Sequence, residues 1–236
     1  MISDKRLDAY RMGPADEDVD LLARYLWNIA LCEALYPALH SLEIALRNSL
    51  HAALTASFGV TWYDDPTVLI EPRGRSEVVE AKQRLRTQGK PLEADRIVAE
   101  LPFGFWTSLL NVAYAQSAVR RPPVHKPLWP TLVAVAFPRF VPVGGPLAGR
   151  RALSRRFNGI RHNVRNRVFH HEPIWRGWHD RGSDIRVALT TQHAEVLEAI
   201  GWISPALQQA VVGMDRFPAV YAGGVAPFRQ TLLTSP

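Results

Sequence analysis

Leu39-His40-Ser41-Leu42-Glu43-Ile44-Ala45-Leu46-Arg47-Asn48-Ser49-Leu50-His51-Ala52-Ala53 sets apolar residues at 39, 42, 46, 50 and 53, the three-and-four spacing that shares one face of an α-helix. The same period runs back through Leu22, Leu26 and Ile29, so helical spacing covers Asp18 to about Phe58. Pro37 lacks the backbone donor that a helix interior needs, and predicts a kink or the first turn of a second helix. Gly59 and the turn-rich Trp62-Tyr63-Asp64-Asp65-Pro66 close the region.

Moving outward, Ser76 to about Gln88 reads as a charged amphipathic helix stopped by Gly89. Another helix starts at Pro91 and ends before Pro102, and both are expected to face solvent. Leu101-Pro102-Phe103-Gly104-Phe105-Trp106 opens an aromatic-rich helix expected to run toward Ala115 and pack on the core. Residues 120–149 are rich in Pro and Gly and read as a connector with one short helix near Leu132 to Phe137. A long helix is then predicted from Leu147 to His171, stopped because Pro173 pushes Glu172 out of the α region. Helices near Thr191 to Ile200 and Pro205 to Val212 complete a single domain over 1–236, with its core at about 18–212. No period-2 segment or internal repeat stands out, so the expected class is all-α.

Composition narrows the chemistry. With 47% hydrophobic and 21% charged residues the chain belongs with packed globular proteins rather than disordered ones. Its formal charge of +6 favours polyanions such as nucleic acid or anionic lipid. The surplus is local: Arg150, Arg151, Arg155, Arg156, Arg161, Arg165 and Arg167 fall together, while Asp16, Glu17, Asp18 and Asp20 crowd the N-terminal stretch. The one cysteine, Cys32, excludes an internal disulfide and a cysteine-based zinc site, and reads as a small buried hydrophobe. The opening Met1-Ile2-Ser3-Asp4-Lys5-Arg6 lacks the apolar core of a signal peptide, and no uncharged apolar run approaches the roughly eighteen residues of a membrane span. A cytoplasmic protein without membrane contact is expected.

Two polar stripes lie on helices that also carry a core face. His40, Glu43, Arg47 and His51 share one side of the helix quoted above, and Asn158, His162, Asn166 and His170 recur by fours on the long helix. Arg161 and Arg165 form a neighbouring cationic row. A solvated face ordinarily uses Lys and Glu, with Glu43 and Arg47 as an ordinary i,i+4 pair. Here the residue types are His, Asn and Arg: a group that titrates near neutral pH, an orienting amide and the best bidentate phosphate ligand. RNA strand cleavage needs those parts and no obligatory metal, because RNA supplies its own 2′-hydroxyl nucleophile. One geometric difficulty remains, since Arg165 and His170 would lie about 140° apart on an ideal helix. The last turn before Pro173 is therefore expected to be distorted, or the two side chains to meet groups from elsewhere, such as a second subunit.

Arg165-Asn166-x-x-x-His170 resembles the R-x4-6-H motif of the HEPN superfamily, whose arginine is typically followed by a polar residue. The wider pattern resembles the Abi-like (abortive infection) branch. It comprises Leu42-Glu43-Ile44-Ala45-Leu46-Arg47-Asn48 with His51, Gly59-x-x-Trp62-Tyr63, Leu101-Pro102-Phe103-Gly104-Phe105-Trp106, and Arg165-Asn166-Arg167-Val168-Phe169-His170-His171-Glu172-Pro173-Ile174, in the family's order over about residues 20–205. The resemblance implies a HEPN-type helical bundle whose long helix ends at the R-x4-H motif. It further implies a homodimer joining two motifs in one cleft, and metal-independent cleavage of RNA to 2′,3′-cyclic phosphate ends in phage defence or toxin-like growth arrest, with a neutralising RNA or protein partner. His170 would be the general base or acid, Arg165 would hold the phosphate and Asn166 would orient it. Glu43, Arg47, Asn48 and His51 would support the same cleft, with Arg161 and Arg167 contacting RNA. R-x5-H also fits, so His171 is an alternative to His170; His170 is favoured because it shares a face with Asn166.

No metal or cofactor is expected. His171-Glu172 opens like a zinc-protease helix, but Trp175 stands where the second histidine would be. No G-x-S-x-G elbow is present, and Gly144-Gly145-Pro146-Leu147-Ala148-Gly149 lacks the lysine of a phosphate loop. The rival expectations are a non-catalytic RNA-binding module that uses the same arginines, and an interaction protein that senses a phage component.

Overall fold

The computed structural model describes residues 2–115, 126–176, 178–179 and 186–234. Among the described residues the fold is mostly helical, with 70% in helix, consistent with the all-α class. A short helix α1 (Asp4–Asp8) precedes α2 (Asp18–Phe58), whose first turn is closed by a reciprocal Glu17/Asp20 capping box. Pro37 lies inside α2 without ending it, so all four members of the first polar stripe ride one continuous helix. Packing explains this outcome. A proline interior to a helix costs about 3 kcal/mol, and the buried neighbours Leu35 and Leu39 each return about 1.5–3 kcal/mol.

Because Pro37 does not break it, α2 also contains an eighteen-residue window of mean hydropathy 1.3, long and apolar enough to cross a membrane by length and composition. In the fold it is the central element, burying Leu21, Leu31, Leu35, Leu42, Leu46, Leu50 and Leu54. Around it lie α5 (Phe103–Ser108), α6 (Val133–Ala136), α9 (Leu189–Ile203), α10 (Pro205–Gly213), α11 (Phe217–Gly223) and α12 (Ala226–Thr234).

Several expectations shift. The charged helix starts earlier, as α3 (Pro72–Thr87), and is not wholly solvent-facing: Val78, Ala81 and Leu85 are buried. The helix expected from Pro91 is α4 (Ala94–Glu100), which buries Ile97 and Val98. The aromatic helix α5 is shorter than expected, but Phe103, Phe105 and Trp106 pack inside as anticipated. Residues 120–125 of the expected connector lie outside the described residues. Of the part beyond them, Leu128 to Phe137 contributes to the core, with Trp129, Ala136 and Phe137 fully buried, while 138–145 stay largely exposed. Proline and glycine content reads as linker in a sequence, but it cannot show that the apolar residues between them are enclosed.

The C-terminal boundary also moves. Phe217 is buried, Trp27 donates to the Val220 carbonyl at 3.1 Å, and Arg229 pairs with Asp20 at 2.7 Å, so α11 and α12 close against α2. A two-residue antiparallel pairing, Trp178–His179 with Arg186–Val187, adds no sheet layer. Cys32 is partly rather than fully buried, and burial pushes its thiol up to about 11.

Candidate functional site

The predicted long helix is present with an internal change of pitch. α7 (Pro146–Ile160) runs into a π turn at Arg161–Arg165, and α8 (Asn166–Phe169) comes directly after it. A π turn inserts one residue, so rows spaced by four on either side fall out of phase by about 100°. The stripe Asn158, His162, Asn166, His170 is therefore not continuous. Asn158 and His162 line a cleft of about 870 Å³ that neither Asn166 nor His170 reaches. The distortion expected near Pro173 thus sits one turn earlier.

The helix end is built locally. His170 N–H bonds the Asn166 carbonyl at 2.8 Å, a regular α turn that keeps these two residues on one face. His171 then adopts φ 57°, the left-handed conformation that helix ends usually assign to glycine. Its N–H reaches the Val168 carbonyl at 3.2 Å and Glu172 N–H reaches the Arg167 carbonyl at 2.9 Å, the paired bonds of a Schellman end. From the far side, Asn28 clasps the chain just past the helix: its amide donates to the Glu172 carbonyl at 3.2 Å and accepts from Ile174 N–H at 2.8 Å. Asn28 and Ile174 are both buried. Arg6 adds a bond to the His171 carbonyl at 2.8 Å. Sequence reading missed Asn28, although it left a signal: an amide inside the apolar Leu21, Trp27, Leu31, Leu35 surface of α2.

Arg165 is brought to α2. Its guanidinium lies 3.5 Å from the Glu43 carboxylate and 4.3 Å over the Phe169 ring. Both partners of the ion pair are about a quarter to a third exposed, so solvent screening leaves it under about 1 kcal/mol; its effect is orientation. Phe169 continues to Tyr36 at 5.9 Å, and Tyr36 stacks beside His40 at 5.8 Å. This run of rings stays solvent-accessible, with Tyr36 49% and Phe169 41% exposed. Neither ring was singled out in the sequence, because isolated aromatics on helix faces read as packing. The side chains of Asn166 and His170 have no hydrogen-bond or ion-pair partner among the described residues, and His170 is exposed. His171 lines a neighbouring groove of about 720 Å³ with Ile29, Cys32, Tyr36, Phe169 and Met214, which His170 does not enter.

The remaining residues of the expected cleft go elsewhere. Arg47 bonds Asn48 at 3.2 Å. His51 accepts from the Trp62 indole at 3.0 Å and sits 4.0 Å from Asp95. Burial lowers the His51 pKa from 6.5, with Asp95 opposing. Arg161 donates to Thr107 at 2.9 Å and to the Gly104 carbonyl of α5, and burial holds its pKa below the usual value. Arg167 bridges Glu172 and the Pro173 carbonyl. Arg150 is buried on the Leu110 carbonyl, and Arg156 pairs with Glu195 and Glu198. Of the arginine cluster, Arg151 and Arg155 have no such partner among the described residues. The broad cationic surface is thus narrower than the sequence implied.

No family model, curated protein or solved structure matches the chain. Among the described residues, no group of three or more His, Cys, Asp or Glu is placed to hold a metal ion. The helix end gathers several of the residues singled out in the sequence. It offers an arginine oriented by a carboxylate from a second element, an amide and a histidine on one face of the last turn, and an aromatic margin.

Proposed function

We propose that this chain is a metal-independent endoribonuclease of the HEPN type, of the Abi-like group, acting in phage defence or toxin-like growth arrest. The observation that carries the reading is the division of labour at the end of α8. Arg165 is oriented against Glu43, while the exposed His170 and the half-buried Asn166 share one face without partners among the described residues. In this reading Arg165 stabilises charge on the scissile phosphate, His170 takes the 2′-hydroxyl proton or returns it to the leaving 5′-oxygen, and Asn166 orients the phosphate. Attack by the 2′-oxygen forms the cyclic phosphate and breaks the P–O5′ bond, so the products carry 2′,3′-cyclic phosphate and 5′-hydroxyl ends.

Arg165 and His170 lie on different rows of a regular turn, which favours a composite site assembled from two copies of the chain. An apolar margin of Ile29, Tyr36, Phe169 and Met214, each 41–60% exposed, supports such an association. His171 is held as the helix-ending residue and lines the adjacent groove, which favours His170 for proton transfer.

The test is incubation of wild type and His170→Ala with a mixed tRNA and mRNA pool in excess chelator, followed by mapping of the 3′ ends. Cyclic-phosphate ends made by wild type and lost in His170→Ala are the expected result. Intact RNA with both proteins would overturn the nuclease reading and leave RNA binding or partner sensing. Light scattering on the eluting protein tests the dimer, and a strict monomer would remove the composite site.

A further inference from the structure

The cleft on the other side of the π turn carries chemistry that the motif does not use. It encloses about 870 Å³ between α7 and α9, a volume that suits a small organic ligand. Its floor is apolar, with Ile160 and Val164 each 1% exposed. Trp202 forms a wall, but Phe140 covers it at 4.9 Å and the Arg156 guanidinium at 5.0 Å, so a planar ligand would lie on the aliphatic floor rather than on the indole.

Three polar groups remain unmatched around this floor. Gln192 is 3% exposed, yet its side-chain carbonyl oxygen has no hydrogen-bond partner among the described residues. An orphaned buried carbonyl is costly, and native proteins keep few of them without a reason. The Asn163 amide has no partner among the described residues. Arg155 has none there either, whereas Arg156 is neutralised by Glu195 and Glu198. The cleft therefore keeps an uncompensated cation despite the Glu195 carboxylate on its wall. Arg155 also lines an adjoining depression with Arg151, one turn away.

We propose that this cleft binds a nucleoside phosphate. The two carboxamides each present a donor beside an acceptor, the pattern that pairs with the edge of a nucleobase. The aliphatic floor takes the base plane, and Arg155, with Arg151 behind it, takes the phosphate. The ligand is a free mononucleotide or one nucleotide of a bound RNA strand; both present the same chemistry. The site is distinct from the motif and does not rest on the nuclease reading.

Titration calorimetry on the full chain tests it, with AMP, GMP, CMP and UMP, inorganic phosphate as the base-free control, and a single-stranded RNA oligonucleotide. Two variants break the site differently. Arg155→Glu reverses the charge facing the phosphate and should weaken binding roughly tenfold to a hundredfold. Gly159→Leu plugs the cleft from the helix: a Cβ there meets nothing closer than the Asn163 amide nitrogen at 4.0 Å, and circular dichroism checks that the helix is retained. The expected result is nucleotide binding that both variants reduce and His170→Ala leaves unchanged. A mononucleotide response identifies a free ligand; a response from the oligonucleotide with the same sensitivity identifies an RNA subsite. Binding indifferent to both variants, phosphate binding as tightly as any nucleotide, or no binding at all would overturn the proposal. A wild-type protein that binds nucleotide in this way but cleaves no RNA would refute the nuclease reading and not the cleft.

Discussion

The two ends of the arginine-rich helix use similar residues for different ends. Before the π turn, Arg150 and Arg156 are tied to a carbonyl and to carboxylates, and within the turn Arg161 is tied to α5. At the turn's last residue, Arg165 is held by a single long ion pair and an aromatic face, just ahead of an amide and a histidine that no described residue engages. Arg150 and Arg161 are met by a carbonyl or a buried hydroxyl and Arg156 by two carboxylates, whereas Arg165 meets one partly exposed carboxylate. The π turn sets which neighbour each one meets, by shifting the rows on its two sides out of register.

The contrast is broken most severely at the helix end. If that end is the reactive one, His170→Ala should reduce RNA cleavage by about 10²–10⁴, the usual scale of general acid–base catalysis. Under the same assay Arg161→Ala should spare cleavage more than Arg165→Ala does, and equal losses would erase the distinction between the two sides. A smaller effect, on stability, is expected for Asn28→Leu. It strands the buried Ile174 N–H and the Glu172 carbonyl, which costs about 1–3 kcal/mol and lowers Tm by about 2–4 °C per kcal/mol in a chain of this size. A thermal melt unchanged by that substitution would mean that the clasp does not hold the helix end.

His171→Gly should act in the opposite direction. Relief of the left-handed conformation gains about 1–2 kcal/mol, and the greater freedom of glycine in the unfolded chain returns about half of it. A modest rise in Tm with cleavage retained would separate the end-capping histidine from the reactive one; loss of cleavage would reverse their assignment. The smallest expected effect is at His51. Its folded pKa is lowered by burial, so the unfolded chain binds the proton more readily, and stability should be full above pH 6.5 and decline as pH falls through that value. His51→Gln, which can still accept from Trp62, should flatten that decline in melts recorded from about pH 7.5 to about 5.5. An unaltered pH profile would assign the acid sensitivity to other groups.

Much of this was legible in the sequence because it depends on local patterns. The apolar period along 39–53 specified a core helix, Pro173 specified a helix end before it, and the packing of Phe103, Phe105 and Trp106 followed from their spacing. The proximity of Glu43 to Arg165 was expected from the resemblance and not from either helix alone. Local pattern misled where long-range packing dominates. Pro37 looked like a break and sits inside a helix held by its buried neighbours, and a Pro-rich stretch looked like a linker and supplies Trp129 and Phe137 to the core.

The sequence by itself determined the helical class, the inward faces and the position of the R-x4-H motif, since each depends on periodicity and side-chain type within a few turns of chain. Only the tertiary structure decided which polar residues are available. Hydrogen-bond partners come from elements far apart in sequence, as Asn28 meets Ile174, Trp62 meets His51 and Thr107 meets Arg161. A π turn, which no residue pattern announces, determines whether a row of side chains spaced by four continues along one face or divides between two.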